Sequence, residues 1–509
     1  MSKFTRFLTA AALLAAGAAG RPLAAQRADT LALSLGDAVA RALRTSDETR
    51  LATAQLEAAE AQILSARATG LPQLRLQSTY GHQLENARAQ AVGQIFGQNN
   101  TYNTNVNLSQ TLFQGGRIVN ASRAAGRVGE AARLELDETR RLVSVDVQRA
   151  YLAAVLAAQL LEIQERNLAL ADERVAQVER LQGGGRLARY DLLRARVERT
   201  NLEPTVIQAR SARELAELEV KRLLNLPVDQ PLALTTRLDA GALLAATGAD
   251  TTALIAPAPA PGAAPGAAPA RLADESAAAR TVPRALVEER GSVRSARLTA
   301  EARRLGVSVA RADYLPSLTV SGTFGYLAFP TGSFLQNPPT RFGRLETTAC
   351  PTPEQPARTC TQQNGGWFSD RAINLAVSWP LFDGLRTRAN VDIAESQARI
   401  AELQLEQRRE AVTIEIARAR SELARAQAAF AAQRQNVAEA EEAFRLATLR
   451  FERGVGTQLE VSDAQLLQLT AQTNAARAAF DLYLATAEQA RAEGRPIPAP
   501  PTTPSPTGR

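Results

Sequence analysis

The 509-residue sequence contains very little histidine or cysteine. His82 is the only histidine, and Cys350 and Cys360 are the only cysteines. A metal site or a histidine-based catalytic triad needs several such side chains together, so this sequence can assemble neither. Aromatic residues make up 5% of the chain, while Ala, Leu, Arg, Glu and Gln dominate it. This composition favours long helices and coiled coils over a compact enzyme core, and we expect no cofactor.

Lysine is almost absent, although the chain is basic. The formal net charge is +7, and Lys3 and Lys221 are the only lysines, so arginine carries nearly all of the positive charge. The arginines are spread among glutamates along helical stretches and form no single basic patch. We therefore expect no nucleic-acid partner.

Long apolar runs are also missing, except near the first residue. There Lys3 and Arg6 precede an apolar run and small residues follow it, a pattern that predicts a secretory signal peptide over residues 1–25. No cysteine lies near the expected cleavage site, so we expect no lipid anchor. No apolar run of about 18 residues follows, which argues against a membrane-spanning helix. Any membrane-spanning part must then be made of β-strands.

The clearest positive signal is a change from helical to two-residue periodicity. After Leu315 and Pro316, apolar side chains alternate with serine and threonine, and a near copy of this pattern follows Leu71 and Pro72. Such alternation predicts strands with one apolar and one polar face. Each predicted strand has about 11 to 13 residues, the length of a tilted transmembrane β-strand. The four strands are predicted at about 72–84, 103–113, 316–328 and 372–382.

Two long helices follow the two pairs of strands. They are predicted at about 115–182 and 384–453, and each would be about 100 Å long. Apolar residues recur every seven residues in both, with small residues three places after each, which indicates closely packed helices. Even the polar Gln164 recurs, as Gln433.

Shorter helices complete the pattern. Glycine-rich turns lead into return helices predicted at about 188–226 and 458–492. Before each pair of strands the pattern predicts one unbroken helix, the first from Ser34 to about Ala68 and the second from Pro283 to Tyr314.

The chain is therefore an internal duplication of one helix-hairpin-helix-turn-helix repeat. We expect the first repeat over residues 26–248 and the second over 282–492. An Ala/Pro/Gly-rich linker at 249–281 separates them, and a Pro/Thr-rich tail at 493–509 is predicted to be disordered.

The borders of the repeats carry short paired motifs. LPxL occurs at residues 71–74 and 315–318, and LFxG at 112–115 and 381–384. With the duplicated plan and the glycine-rich turns, these motifs give a chain that resembles the TolC-type outer-membrane efflux protein family. The resemblance extends from Ser34 to Arg491.

The resemblance implies a mainly α fold with a membrane β-barrel. Three copies would form a homotrimer, whose twelve strands close one barrel above a long periplasmic α-helical coiled-coil tunnel. It implies a position in the outer membrane of a double-membraned bacterium, in contact with outer-membrane lipid. It also implies passive export, without enzymatic activity, in a tripartite efflux or type I secretion system. The partners would be a periplasmic adaptor protein and an inner-membrane transporter, and the cargo stays open between a drug, a metal ion and a protein.

Strand number leads independently to oligomerisation. Membrane barrels begin at about eight strands, so the four strands of one chain cannot close a barrel alone. The number three comes only from the resemblance.

Acidic residues follow both glycine-rich turns. By resemblance, Glu460 and Asp463 match the acids of the family's periplasmic constriction, which threefold symmetry would turn into cation-selective rings, and Asp191 would take part in the closing contacts. The alternative is that acids near a helix N-terminus simply offset its dipole.

The turns themselves are candidates for the surface that an adaptor contacts. The alternative is ordinary helix termination. The candidate residues are Gly183, Gly184, Gly185, Leu187, Gly454, Val455 and Gly456. In the strands, Tyr80 and Trp379 are candidates for an aromatic girdle, or else for packing between subunits.

The two cysteines lie in the long loop between the third and fourth strands. This loop should face the oxidising outside of the cell, so we predict a disulfide between Cys350 and Cys360; free thiols are the alternative.

Two other functions are compatible with parts of the pattern. A periplasmic enzyme on a helical scaffold could use Glu460 and Asp463 as an acid/base pair, but no nucleophile, phosphate loop or metal set accompanies them. A self-contained diffusion porin would need many more strands and no helices of this length.

Overall fold

A computed structural model describes residues 30–85, 100–236, 282–328, 345–349, 359–363 and 367–497. The expected signal peptide, the linker at 249–281 and the tail beyond residue 497 lie outside these residues, so those predictions stay predictions. The strands are β1 (Leu31–Leu33), β2 (Gln73–His82), β3 (Asn100–Gln114), β4 (Leu232–Leu234), β5 (Ser317–Ala328), β6 (Leu345–Ala349), β7 (Thr359–Gln363) and β8 (Trp367–Ser378). The helices are α1 (Leu35–Thr45), α2 (Asp47–Ala68), α3 (Arg117–Gly183), α4 (Arg189–Leu223), α5 (Arg284–Glu289), α6 (Gly291–Arg311), α7 (Arg386–Glu452) and α8 (Gln458–Ala492).

The chain forms two compact units. The sheet unit comprises Ala52–Asp137 and Glu288–Ala411. The helical unit comprises Met1–Leu51, Glu138–Val287 and Val412–Arg509, as far as these are described. None of the helices within the described ranges is both long enough and apolar enough to cross a membrane.

The sheet unit contains one four-stranded antiparallel sheet with the order β2-β3-β5-β8. Its register brings the alternating patterns of all four strands onto common faces. One row across the sheet is Leu76, Val106, Phe324 and Arg371, and neighbouring rows place Leu74 beside Leu108 and Val320 beside Leu375. One face is therefore largely apolar and the other polar, as the sequence predicts. Among the described strands, β2 and β8 pair on one side only, so both edges of this sheet are open.

The LFxG motif of the first repeat marks the junction between β3 and α3. Gly115 has a positive φ of 56°, and a Cβ atom there would lie 2.7 Å from the carbonyl oxygen of Ala312. Only glycine fits both the backbone conformation and this close approach. An ion pair between Arg117 and Asp313 strengthens the same junction. The two repeats of the sheet unit thus meet directly where the strands pass into helices.

The helices before the strands are broken, which corrects the prediction of one unbroken helix in each repeat. α1 ends and α2 begins at Ser46, whose buried side chain accepts a hydrogen bond from the Thr49 N–H (3.3 Å). Serine thereby competes with the helix for backbone hydrogen bonds and caps the next segment. In the second repeat the break falls at Arg290, and a short 3-10 turn follows α6 at Ala312–Tyr314.

The fourth strand also differs from its prediction at 372–382. β8 begins earlier, at Trp367, and ends at Ser378. Pro380 follows closely and has no N–H to donate to a sheet, so the alternation of the sequence continues beyond the ladder itself. Trp379 lies just outside the strand, where its indole Nε1–H donates to the carbonyl oxygen of Tyr314 (3.1 Å).

Four short strands were not predicted, because three to five residues carry too little periodicity. β1 pairs in parallel with β4, and β6 pairs with β7 inside the long loop of the second repeat. Cys350 and the side chain of Cys360 lie outside what the structure describes, so the disulfide stays a prediction.

The core of the helical unit is built on the seam predicted for the long helices. Val147, Ala154, Ala426 and Phe430 are all buried there. The polar Gln164 has a specific partner on the return helix, since its amide oxygen accepts a hydrogen bond from Thr205 (3.4 Å). Glu493, the first residue of the predicted tail, is buried, and its Oε1 accepts from Arg420 Nε (2.9 Å), so this residue is ordered; the rest of the tail stays a prediction.

Tyr151 joins three segments inside this core. Its fully buried hydroxyl donates to the carbonyl oxygen of Leu33 (2.7 Å) and accepts from the N–H of Thr236 (3.1 Å). The β1 and β4 segments, distant in sequence, are therefore both fixed to α3 by one side chain.

We expect Tyr151→Phe to lower the free energy of unfolding by about 1 to 3 kcal/mol, because it leaves the buried carbonyl of Leu33 and the half-buried N–H of Thr236 without this partner. Thermal unfolding followed by circular dichroism measures the loss. The matched control is Tyr483→Phe in the same core. Burial raises the pKa of Tyr483, and its hydroxyl has no partner among the described residues, so its removal should be neutral or stabilising. Equal losses in the two variants would contradict the role of Tyr151.

Candidate functional site at the helix tips

The two glycine-rich turns share the same backbone conformation. Gly185 (φ 72°) and Gly454 (φ 76°) adopt the left-handed conformation directly after α3 and α7. The N–H of Arg186 then donates to the Leu181 carbonyl (2.9 Å), and the N–H of Val455 to the Arg450 carbonyl (3.1 Å). These are helix C-caps closed by glycine, so the helix-termination role of the glycines is real.

The return helices begin with side-chain caps. In the first repeat, Asp191 Oδ2 accepts from the backbone N–H of Ala188 (3.3 Å). In the second, the hydroxyl of Thr457 accepts from the backbone N–H of Glu460 (3.3 Å). Asp191 and Glu460 thus lie in the first turn of a helix, where a negative charge also offsets the helix dipole.

The two acids predicted to form one constriction have different basic neighbours. Glu460 is exposed and its Oε2 lies 3.6 Å from Nε of Arg450. Asp463 is also exposed, but it borders a cavity that Arg194 borders too. The carboxylate of Glu198 raises the pKa of the Arg194 guanidinium, and the charge of Asp463 adds to this effect. Within one chain, each acid therefore has its own positive neighbour.

A polar network next to Asp463 links both repeats. Glu198 Oε1 accepts from Arg194 Nε and its Oε2 from the Ser462 hydroxyl, both at 2.9 Å. Arg174 Nη1 donates to the oxygen of the same hydroxyl at 3.4 Å, and burial lowers the pKa of Arg174. The network connects α3 and α4 of the first repeat with α8 of the second. Sequence reasoning missed Arg174, Glu198 and Ser462, because no local pattern distinguishes them from other polar residues on these helices.

A second polar contact lies further from the tips, about one helical turn away along α8 and about two turns away along α3. Gln465 Nε2 donates to Asn167 Oδ1 (2.5 Å), and both side chains are buried. These groups line the cavity of about 360 Å³, whose apolar wall includes Ala171, Ala195 and Leu466. Across the described part of the chain, no three His, Cys, Asp or Glu side chains gather closely enough to hold a metal ion.

The turn surfaces are accessible. The three glycines at 183–185 are exposed, Val455 is 70% exposed, and Leu187 is half-buried. Tyr190, in the first turn of α4, is also 70% exposed. These exposed residues are available for contact with another protein.

Comparison with known protein families shows to which family the chain belongs. The family model described as outer membrane efflux protein matches residues 38–226 and 282–494. This chain belongs to the outer membrane efflux protein family. The family membership confirms the outer-membrane channel class and rules out the enzyme alternative that would use Glu460 and Asp463.

Solved structures of outer membrane proteins share its fold. VceC of Vibrio cholerae is 21% identical, with a TM-score of 0.66, over 91% of this chain and 96% of that protein. The CmeC channel of Campylobacter jejuni is 15% identical, with a TM-score of 0.69, over 90% and 85%. The MtrE channel of Neisseria gonorrhoeae is 19% identical, with a TM-score of 0.65, over 91% and 89%. No curated protein sequence matches this efflux protein significantly.

We expect Glu198→Ala to loosen the tips, because it leaves Arg174 and Arg194 without the carboxylate that connects them. If the free energy needed to open the tip falls by about 1.4 kcal/mol, and the tip must open before cleavage, trypsin should cleave after Arg186 roughly tenfold faster. The matched control is Glu179→Ala, since Glu179 also joins α3 to α4, but through an exposed ion pair with Arg196. Exposed pairs contribute about 0 to 1 kcal/mol, so this control should change the rate little. Identical rates in the two variants would contradict the role of Glu198.

Proposed function

We propose that this efflux protein is one subunit of a homotrimeric, passive exit duct in a tripartite efflux or type I secretion system. A periplasmic adaptor and an inner-membrane pump open it. The single observation that carries the proposal is the pair of open edges on a sheet of four strands with an apolar face.

The open edges require partners of the same kind. In a bilayer no water reaches the backbone, so each unpaired N–H or carbonyl costs several kcal/mol. β2 and β8 each leave one side unpaired in the single chain. Pairing β8 of one copy with β2 of the next satisfies both edges, and three copies give the twelve strands expected for the family.

Exposed apolar residues on the return helix support the same assembly. Tyr190, Leu193, Val197 and Ile207 are each at least half exposed. Their spacing places them on one side of α4, away from the polar network around Glu198. A second copy packed against this side would remove the exposed apolar surface from water.

The tips are the proposed gate. Threefold symmetry would bring three copies of Glu460, Asp463 and Asp191 around one axis, and rings of carboxylates favour cations. The neighbouring Arg450 and Arg194 moderate this charge within each chain. Separation of the helices at the tips would then widen the duct.

The turns are the proposed site of adaptor contact. Support comes from the exposure of Gly183, Gly184, Gly185 and Val455, and from the shared backbone shape of the two turns. An adaptor that meets both turns would face two similar surfaces from each copy. Gly454, Gly456 and Leu187 complete the proposed surface.

We expect the purified protein to be a trimer in mild detergent, because two open strand edges must be paired. Light scattering combined with a detergent correction gives the protein mass of the particle. Circular dichroism in the same sample is the control for native helix content. A monodisperse monomer with native helix content would contradict the proposed assembly.

We expect the double variant Glu460→Gln, Asp463→Asn to lose cation preference and block by trivalent cations in planar-bilayer recordings, because the ring charge is removed. The matched control is Glu452→Gln, an exposed acid at the end of α7 outside the proposed ring. Unchanged selectivity in the double variant would assign the constriction to other residues, with Asp191 as the next candidate.

A further inference from the structure

One charged residue interrupts the apolar face of the sheet. By its register Arg371 shares that face with Ile373, Leu375 and Val377, and all four side chains are exposed. Along β2, β3, β5 and β8 no other Asp, Glu, Lys or Arg lies on this face. Arg75 and Asp370 belong to the polar face. The exception therefore lies on the surface that a bilayer would cover.

The position of Arg371 along its strand is close to one end of the apolar band. Trp367 begins β8, four residues away, at the end of the sheet remote from the helices. With a rise of about 3.3 Å per residue and a tilt of about 45°, Arg371 Cα lies roughly 9 Å below the level of Trp367. A long arginine side chain can extend over most of that distance towards the membrane surface.

No acid among the described residues neutralises this guanidinium. Arg371 has no hydrogen bond or ion pair with any residue that the structure describes, and Asp370 points to the other face. Directly across the ladder its neighbour is Phe324, and Tyr326 lies one row outward. An unpaired arginine on a lipid-facing strand is costly at the bilayer centre and far less costly near its surface. An anion at the membrane surface would remove this cost.

An aromatic row crosses the sheet on the same face, two rows outward from Arg371. Tyr80 and Tyr102 stack with ring centres 4.7 Å apart, and Trp367 meets Tyr102 edge-on at 6.3 Å. The hydroxyl of Tyr80 and the ring of His82 both contact the side-chain oxygen of Asn100, at 2.8 and 2.7 Å. Flat rings and fixed hydrogen-bonding groups on the same face as the arginine, and nearer the end of the sheet, match a ligand that carries both sugar and phosphate.

We propose that Arg371 binds the phosphate of a phosphorylated glycolipid in the outer leaflet, beside the aromatic residues at the end of the sheet. Arginine presents a planar, two-pronged donor that suits phosphate geometry. The aromatic row adjoins the sugar, and the apolar residues below it contact the acyl chains. This inference rests on the proposed trimer, whose apolar sheet faces would meet the lipid.

The test compares lipid retention by intact trimers. Wild-type protein and Arg371→Gln are incubated in mild detergent with bisphosphorylated lipid A, with its dephosphorylated form, or with inorganic phosphate, and native mass spectrometry counts the bound molecules. Wild type should retain bisphosphorylated lipid A roughly tenfold or more better than Arg371→Gln, because a charge-assisted contact is lost. The dephosphorylated lipid should bind both proteins equally and weakly. Phosphate alone should not be retained, since the acyl chains are needed.

The matched control is Arg75→Gln. Arg75 precedes Leu76, which lies in the same row as Arg371, but its side chain is on the polar face. It should retain the lipid like wild type. Equal retention by wild type and Arg371→Gln trimers overturns the inference and leaves the proposed function intact. Absence of a wild-type trimer contradicts both.

A second measurement separates lipid from protein partners. In vesicles of phosphatidylcholine, added bisphosphorylated lipid A should raise the unfolding temperature of the wild-type trimer but not that of Arg371→Gln. Glu85, just beyond β2, is the nearest acid at the opposite edge of the sheet. If Arg371→Gln and Glu85→Gln destabilise the trimer equally with and without the glycolipid, Arg371 pairs with a neighbouring copy and the inference is wrong.

Discussion

Backbone hydrogen bonding in a medium without water is the constraint on which this structure depends. Four strands with one apolar face can lie in a bilayer only if every N–H and carbonyl is paired. The chain satisfies the three inner ladders itself and leaves the outer sides of β2 and β8 open. In the proposed trimer, neighbouring copies would pair these two edges.

The helical unit depends on a different constraint, the close packing of very long helices. Small side chains such as Ala154 and Ala426 fill the buried seam, so the helices can approach closely, and Tyr151 fixes the short β1 and β4 segments to the same core. Near the tips, buried polar contacts replace apolar ones. Polar contacts are directional, so they define the register of neighbouring helices more strictly than alanine and leucine do.

The duplication gives the tips similar backbones with different charges. Equivalent positions are Ala188 and Thr457 at the caps, and then Asp191 and Glu460 three residues later. Three residues further, the first repeat has Arg194 and the second has Asp463. One repeat thus supplies the positive partner for the negative residue of the other, which a symmetric duplication could not do.

The sequence by itself determined the duplicated plan, the approximate limits of the long helices and strands, and the two-sided character of the sheet. These features follow from periodicity, which is a local property of the chain. The periodic patterns recur often enough along each element to be recognised in the sequence. Local rules failed at Ser46, where a buried side chain competes with the helix, and at Pro380, where alternation continues after the ladder has ended. Only the tertiary structure decided that Glu460 faces Arg450 while Asp463 lies beside Arg194, and that Glu198 and Ser462 connect the repeats. Except for Glu460 and Arg450, these residues lie more than two hundred positions apart, and the register between packed helices decides which of them meet.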